Sequence, residues 1–132
     1  PHLKKNKEKI YPNSPSGMPG VQTLVPVMLN HVNEGRLTLE QFMNFVCENP
    51  VKIFGIKDKG YIKQGFDADF TIVDLNKVIE IKNENIQSKC GWSPFNGYKF
   101  KGTPVATIVN GDIKMKDGKI LGEPKGQPIV FK

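Results

Sequence analysis

Arginine is nearly missing from this chain: Arg36 is the only one, although lysine brings the basic residues to 19 against 13 acidic ones in 132 residues, a formal charge of +6. Surfaces that read phosphates and base edges lean on planar guanidinium forks, whereas lysines scattered along a chain are ordinary solvated surface, so no nucleic-acid partner is expected. Cysteine is scarce as well. Cys47 and Cys90 can form one bridge at most and lack C-x-x-C spacing, which excludes a disulfide scaffold and a structural zinc module and fits a reducing, cytoplasmic setting. Long apolar runs are also wanting. The best of them, from Val21 to Leu29, is broken by Gln22, Thr23 and Pro26 and falls well short of the roughly 18 residues of a membrane span, so no membrane partner is expected. The residues after Pro1 are rich in lysine and carry no apolar stretch of the secretory-signal kind. What is present is a globular composition, 38% hydrophobic and 24% charged, in a length that suits one compact unit or a piece of something larger.

Residues 1–20 hold Pro1, Pro12, Pro15, Pro19, Gly17 and Gly20 beside the cluster Lys4, Lys5, Lys7, Glu8, Lys9, and this mixture predicts a long loop. Loops of that length usually line a site or are disordered. From Val21 the apolar residues Leu24, Val25, Met28, Leu29 and Val32 follow at intervals of three and four, predicting a helix of about 13 residues that Gly35 ends. Thr38, with Gln41 three residues on, makes a capping box for a second helix that buries Leu39, Phe42, Phe45 and Val46 and stops near Asn49, because Pro50 disfavours helical geometry in the residue before it. Val51, Ile53 and Phe54 can add one more short turn before Gly55.

Beyond Gly55 the pattern changes to period two. Short β-branched runs at Tyr61–Lys63, Phe70–Leu75, Val78–Ile81, Val105–Val109, Ile113–Met115 and Ile120–Leu121 predict strands, separated by Gly65, Asn76-Lys77, Asn110-Gly111 and Asp117-Gly118. The last two pairs are tight-hairpin signals, since both positions tolerate positive φ, and the second half is expected to be a β-meander. Helices first and strands afterwards predict an α+β arrangement, either a small domain or the tail of one domain joined to most of another.

Longer strings carry a resemblance that periodicity does not. Glu48-Asn49-Pro50-Val51-Lys52-Ile53-Phe54-Gly55-Ile56, Lys59-Gly60-Tyr61-Ile62 and Gly65-Phe66-Asp67-Ala68-Asp69-Phe70 resemble the C-terminal signature of cyclic amidohydrolases. Ser88-Lys89-Cys90-Gly91-Trp92-Ser93-Pro94-Phe95-Asn96-Gly97, then Gly102 and Pro104 to Gly111, resemble dihydroorotases and their dihydropyrimidinase-like relatives. At the start, Pro1-His2 is similar to the end of the Asp-His-Ala-Pro-His motif of dihydroorotases, and Ser14-Pro15-Ser16-Gly17-Met18-Pro19-Gly20 is similar to the substrate loop that follows it.

This resemblance implies an α+β fragment: residues 1–54 as the substrate loop and last helices of an amidohydrolase (β/α)8 barrel, and residues 55–132 as most of the accessory β-sandwich. It implies a parent enzyme of pyrimidine biosynthesis that interconverts dihydroorotate and carbamoyl aspartate with zinc. The motif aspartate, the histidine pair, the carboxylated lysine and the later metal-binding histidines would all precede Pro1, so this chain is expected to hold neither a catalytic residue nor a zinc ligand and to be inactive alone. What carries over is substrate binding: His2 toward the substrate carboxylate, and the backbone of Ser16 and Gly17 toward the flat ring, where a glycine permits close approach. The alternatives are a dihydropyrimidinase- or allantoinase-like hydrolase, a silent dihydroorotase-like scaffold for a partner such as aspartate carbamoyltransferase, and a basic β-rich binding module. A companion chain or homo-oligomer is expected, since unpaired strand edges and bare helix faces need covering.

Four other features are read without chemistry. His31 lies on the first helix and has no carboxylate or cysteine at metal-ligand spacing. Asp67 and Asp69 lack the further oxygen ligands of a calcium loop and suit turns. Cys90 is expected to be packing, because the resemblance places its segment outside the active site. The lysines of residues 4–9 are expected to be solvated.

Overall fold

The computed structural model describes residues 2–131, in the order loop, helices, strands. One helical turn, α1 (Lys4–Lys7), interrupts the segment predicted to be loop throughout. It buries no residue, and the Leu3 carbonyl starts it by accepting the Asn6 N–H at 2.9 Å. Helix α2 (Leu24–Asn33) begins three residues after Val21 and runs for 10 residues instead of 13. Val21 is 97% exposed. The Gly20 carbonyl accepts the N–H groups of Thr23 and Leu24, at 3.1 and 2.8 Å, in a turn that precedes the helix proper. Pro26 is tolerated because it falls in the first turn, where backbone N–H groups have no intrahelical acceptor. At the other end Gly35, at φ +72°, donates to Val32 at 3.1 Å while Arg36 donates to His31 at 3.0 Å, a Schellman closure that needs the left-handed residue at Gly35.

Helix α3 (Leu39–Met43) starts with the predicted capping box: Gln41 N–H donates to Thr38 Oγ1 at 3.1 Å, and Thr38 N–H to Gln41 Oε1 at 2.8 Å. The helix does not stop near Asn49. A wide π turn, Asn44–Glu48, leads into α4 (Asn49–Phe54). The wider turn shifts the hydrogen-bond register, so Pro50 lands at the first positions of α4, where a missing N–H costs least. Gly55 then ends the helix in the left-handed region. Of the face predicted to be buried, Phe42 is 4% exposed, but Leu39 and Phe45 face solvent because nothing among the described residues covers them.

The second half is an antiparallel meander in the order β1 (Phe70–Glu80), β2 (Lys99–Val109), β3 (Asp112–Lys116), β4 (Lys119–Ile120). Both predicted hairpin turns are present, with φ of +49° and +82° at Asn110-Gly111 and +49° and +80° at Asp117-Gly118. Two strand predictions change. Tyr61–Lys63 is not a strand; it has no neighbour to pair with, and Tyr61 instead meets Phe66 edge-on at 6.3 Å and donates its hydroxyl to Glu48 at 3.3 Å. Phe70–Leu75 and Val78–Ile81 are parts of one bulged strand, because the Asp74 carboxylate accepts the N–H groups of Asn76 and Lys77 at 2.8 and 3.0 Å and folds the intervening residues out of the ladder.

Helix α2 lies on β2, and the contact is set at that bulge. Register slips between Asp74 and Val78, opposite Thr103 and Lys101. Two asparagine side chains of α2 bond the backbone there: Asn30 Oδ1 accepts the Lys101 N–H at 2.9 Å, and Asn33 Nδ2 donates to the carbonyls of Leu75 and Lys101, each at 3.0 Å. Leu29, fully buried, presses on Gly102, whose φ is +102°. A Cβ at Gly102 would stand 2.6 Å from Leu29 Cβ. Gly102→Ala is therefore expected to destabilise by about 2–4 kcal/mol, combining overpacking with a disfavoured φ, whereas Gly20→Ala, which meets open space, should change little. Denaturant midpoints of the two variants in the full-length protein check this.

Candidate functional site

Ser16 and Gly17 sit exposed near the end of the first loop. Gly17 has φ +85°, and nothing lies within 4 Å of where its Cβ would be, so glycine is required there by backbone conformation and leaves an open approach. The loop is folded on itself. Ser14 Oγ donates to the Lys7 carbonyl at 3.1 Å, and Lys7 Nζ donates to the Pro15 carbonyl. Of the lysine cluster, Lys7 is thus engaged internally, while Lys4, Lys5 and Lys9 face solvent.

His2 is exposed, and it is tied to the sheet through its backbone: Trp92 Nε1–H donates to the His2 carbonyl at 2.8 Å. Pro1, which completes the motif ending, lies outside the described residues. Trp92 belongs to the long loop between β1 and β2, whose base is closed by Ile81 N–H to Tyr98 carbonyl at 2.9 Å and Gly97 N–H to Ile81 carbonyl at 2.7 Å. Inside that loop Asn83 accepts the Ser93 N–H at 2.9 Å, and Asn96 accepts the Asn83 N–H at 2.8 Å. Gln22 clamps the loop to the start of α2, donating to the Asn85 carbonyl and accepting from the Gln87 N–H, both at 2.9 Å. Between these attachments lies a surface pocket of about 290 Å³ lined by Met18, Gly20, Gln22, Ile86, Trp92 and Ser93 among others.

The three predicted substrate residues thus share one folded segment, but they do not line this pocket. The sequence reading also missed that segment 88–93 stands beside them. Its one signal was the single tryptophan, placed in a loop long enough to suggest a role. Cys90 packs in the same loop, with Sγ 3.3 Å from Ser88 Oγ and 3.6 Å from the Trp92 carbonyl. Cys47 is held as a neutral thiol, burial and the neighbouring Glu48 both pushing its pKa up. His31 Nδ1 lies 3.5 Å from Glu34 and 3.3 Å from the Arg36 guanidinium, a surface arrangement on α2.

Among the described residues, no three histidine, cysteine, aspartate or glutamate side chains are grouped to hold a metal ion. Asp67 and Asp69 hold an ammonium instead: Lys59 Nζ lies 2.7 Å from Asp67 and 2.5 Å from Asp69. Asp69 also accepts the Asn110 N–H at 2.8 Å, joining the loop before β1 to the β2–β3 hairpin.

Residues 16–114 match the Amidohydrolase family, and the chain belongs to it. The particular relatives it is most like in sequence include dihydroorotases. That of Pyrococcus furiosus is 42% identical over 132 residues, covering 100% of this chain and 31% of the relative, and that of Pyrococcus abyssi is 41% identical over 130 residues, covering 98% and 31%. Among solved structures, the L-hydantoinase (dihydropyrimidinase) from Arthrobacter aurescens superposes with a TM-score of 0.80 at 38% identity, covering 84% of this chain and 25% of that one. The chain therefore spans about a third of the length of the curated relatives it matches.

The Lys59 ammonium, and after it the Asn110 N–H, hold the Asp69 carboxyl below the ordinary carboxylate range, while the carboxylates of Asp67 and then Asp69 raise Lys59. For a depressed carboxylate, the stabilisation is complete above the unfolded value of 3.8 and is lost as pH falls through the folded value. The raised lysine loses its share only at strongly alkaline pH, above 10.5. Asp69→Asn should lower stability at pH 7 and flatten the acid limb below about pH 4, as read from urea midpoints between pH 2 and 7.

Proposed function

We propose that this chain is the C-terminal portion of a dihydroorotase-type enzyme, with residues 1–54 completing its barrel and residues 55–132 forming most of its accessory β-sandwich. The observation that carries the reading is the 42% identity to a dihydroorotase along all 132 residues, the substrate loop included. The parent would interconvert dihydroorotate and carbamoyl aspartate, with zinc held by residues of the parent outside this chain. This chain supplies orientation. His2 donates to the substrate carboxylate, and the exposed backbone of Ser16 and Gly17 meets the ring, so that the scissile amide is presented in one pose.

A second reading, a dihydropyrimidinase-like hydrolase, is favoured by the hydantoinase-like structure. Preference for a ring with or without a carboxylate separates the two. The full-length protein loaded with zinc is expected to open dihydroorotate, and His2→Ala in it should cost about 1.5–3 kcal/mol, roughly one to two decades in kcat/KM, for loss of a charge-assisted hydrogen bond. Turnover of dihydrouracil in preference to dihydroorotate would favour the second reading. No turnover of either ring would favour a silent scaffold.

The 132-residue chain by itself exposes 9514 Å², against about 7,000 Å² for a self-contained monomer of its 14.8 kDa. The excess, about 2,500 Å² by that same scaling, is of the order buried in an obligate interface. Ile53, Phe54 and Ile62 are among the apolar residues left open. The isolated chain is expected to be inactive and to self-associate or bind a companion chain carrying the rest of the enzyme. A monodisperse 15 kDa species by light scattering, with unfolding independent of concentration, would contradict this.

A further inference from the structure

We infer that Trp92 and Gln22 are positioning residues for His2, setting how tightly the enzyme holds a carboxylated ring. The inference rests on the substrate reading of His2 given above and extends it to a loop that contacts no substrate in that reading.

The argument follows the hydrogen bonds outward from His2. Its imidazole is exposed, and its backbone carbonyl is held by the Trp92 indole N–H at 2.8 Å. Trp92 is itself half-buried and lines the 290 Å³ pocket together with residues of the Met18–Thr23 segment that continues the substrate loop. The loop bearing Trp92 is cross-braced internally by Asn83, Asn96 and Ser93 and is held to the start of α2 by both ends of the Gln22 amide. One braced loop therefore holds the His2 backbone at one point and the end of the substrate loop at another. An exposed histidine whose backbone were not held would sample many positions. Fixing its carbonyl restricts where the imidazole can meet an anion, which lowers the ordering cost of binding.

The test uses the full-length zinc-loaded protein and two substitutions. Trp92→Phe keeps a ring in the pocket wall and removes the donor. Gln22→Met keeps the length and removes both clamp bonds. Two readouts are taken: KM and kcat for dihydroorotate, and competitive inhibition by 5,6-dihydrouracil, the same ring without the carboxylate. Each variant is expected to raise KM about three- to tenfold, the worth of one neutral hydrogen bond, with kcat within about twofold and dihydrouracil inhibition unchanged. His2→Ala, measured alongside, should show the same selectivity more strongly. Unchanged KM in both folded variants, with KM raised in His2→Ala, overturns the positioning role while leaving the reading of His2 intact. Equal weakening toward both rings also overturns it, since that marks a general structural defect. Unchanged KM in His2→Ala refutes the substrate reading and this inference with it. Should Trp92→Phe fail to fold, Gln22→Met alone decides.

Discussion

The rest of this structure depends on how α2 is seated across the break in the β1–β2 ladder. A bulge of this kind leaves backbone donors and acceptors without strand partners. Asn30 and Asn33 supply the missing partners, reaching Lys101 and Leu75 from the helix. The same contact requires Gly102, because Leu29 occupies the space a Cβ would take. Side-chain amides, a bulge and a glycine thus form one unit: with the bulge straightened, Asn30 and Asn33 would lose their bonds to residues 75 and 101, and with a side chain at position 102 the helix could not approach.

From that seat the functional segment inherits its place. Once α2 is fixed on β2, its first turn is fixed, and with it the Gly20 carbonyl and the Gln22 clamp on the β1–β2 loop. The loop in turn reaches His2 through Trp92. Order passes from the sheet to the exposed loop by way of three or four hydrogen bonds, so a segment rich in proline and glycine can still have a defined geometry. The Lys59–Asp67–Asp69 cluster plays a similar part on the other side, tying the loop before β1 to the β2–β3 hairpin by charge rather than packing. Such partly exposed pairs are screened by water, and their value here is in fixing loop geometry more than in global stability.

The open apolar surface has a common explanation with the unburied face of α3. Leu39, Phe45, Ile53 and Phe54 carry the spacing and composition of a buried stripe, and nothing among the described residues lies over them. Among the described residues, Leu29, Phe42, Ile81, Cys90 and Phe100 are buried, only Leu29 completely, which is a small core for a chain of this size.

What the sequence by itself determined was everything governed by local backbone chemistry. The Thr38–Gln41 box, the Gly35 stop and the Asn110-Gly111 and Asp117-Gly118 hairpins were legible because each involves residues within a few positions of one another and a φ that few side chains accept. The family strings were legible for a similar reason: they are contiguous. Distance in the chain hid the rest. Pro50 reads as a stop until a π turn re-registers the helix around it, and Asn76-Lys77 reads as a turn until β2 pairs on both sides of it. The bonds from Gln22 to residues 85 and 87, from Asn33 to 75 and 101, and from Trp92 to His2 span 42 to 90 positions. No local pattern marks such pairs, because side-chain amides and an indole are ordinary surface residues until folding brings an unpaired backbone group within their reach.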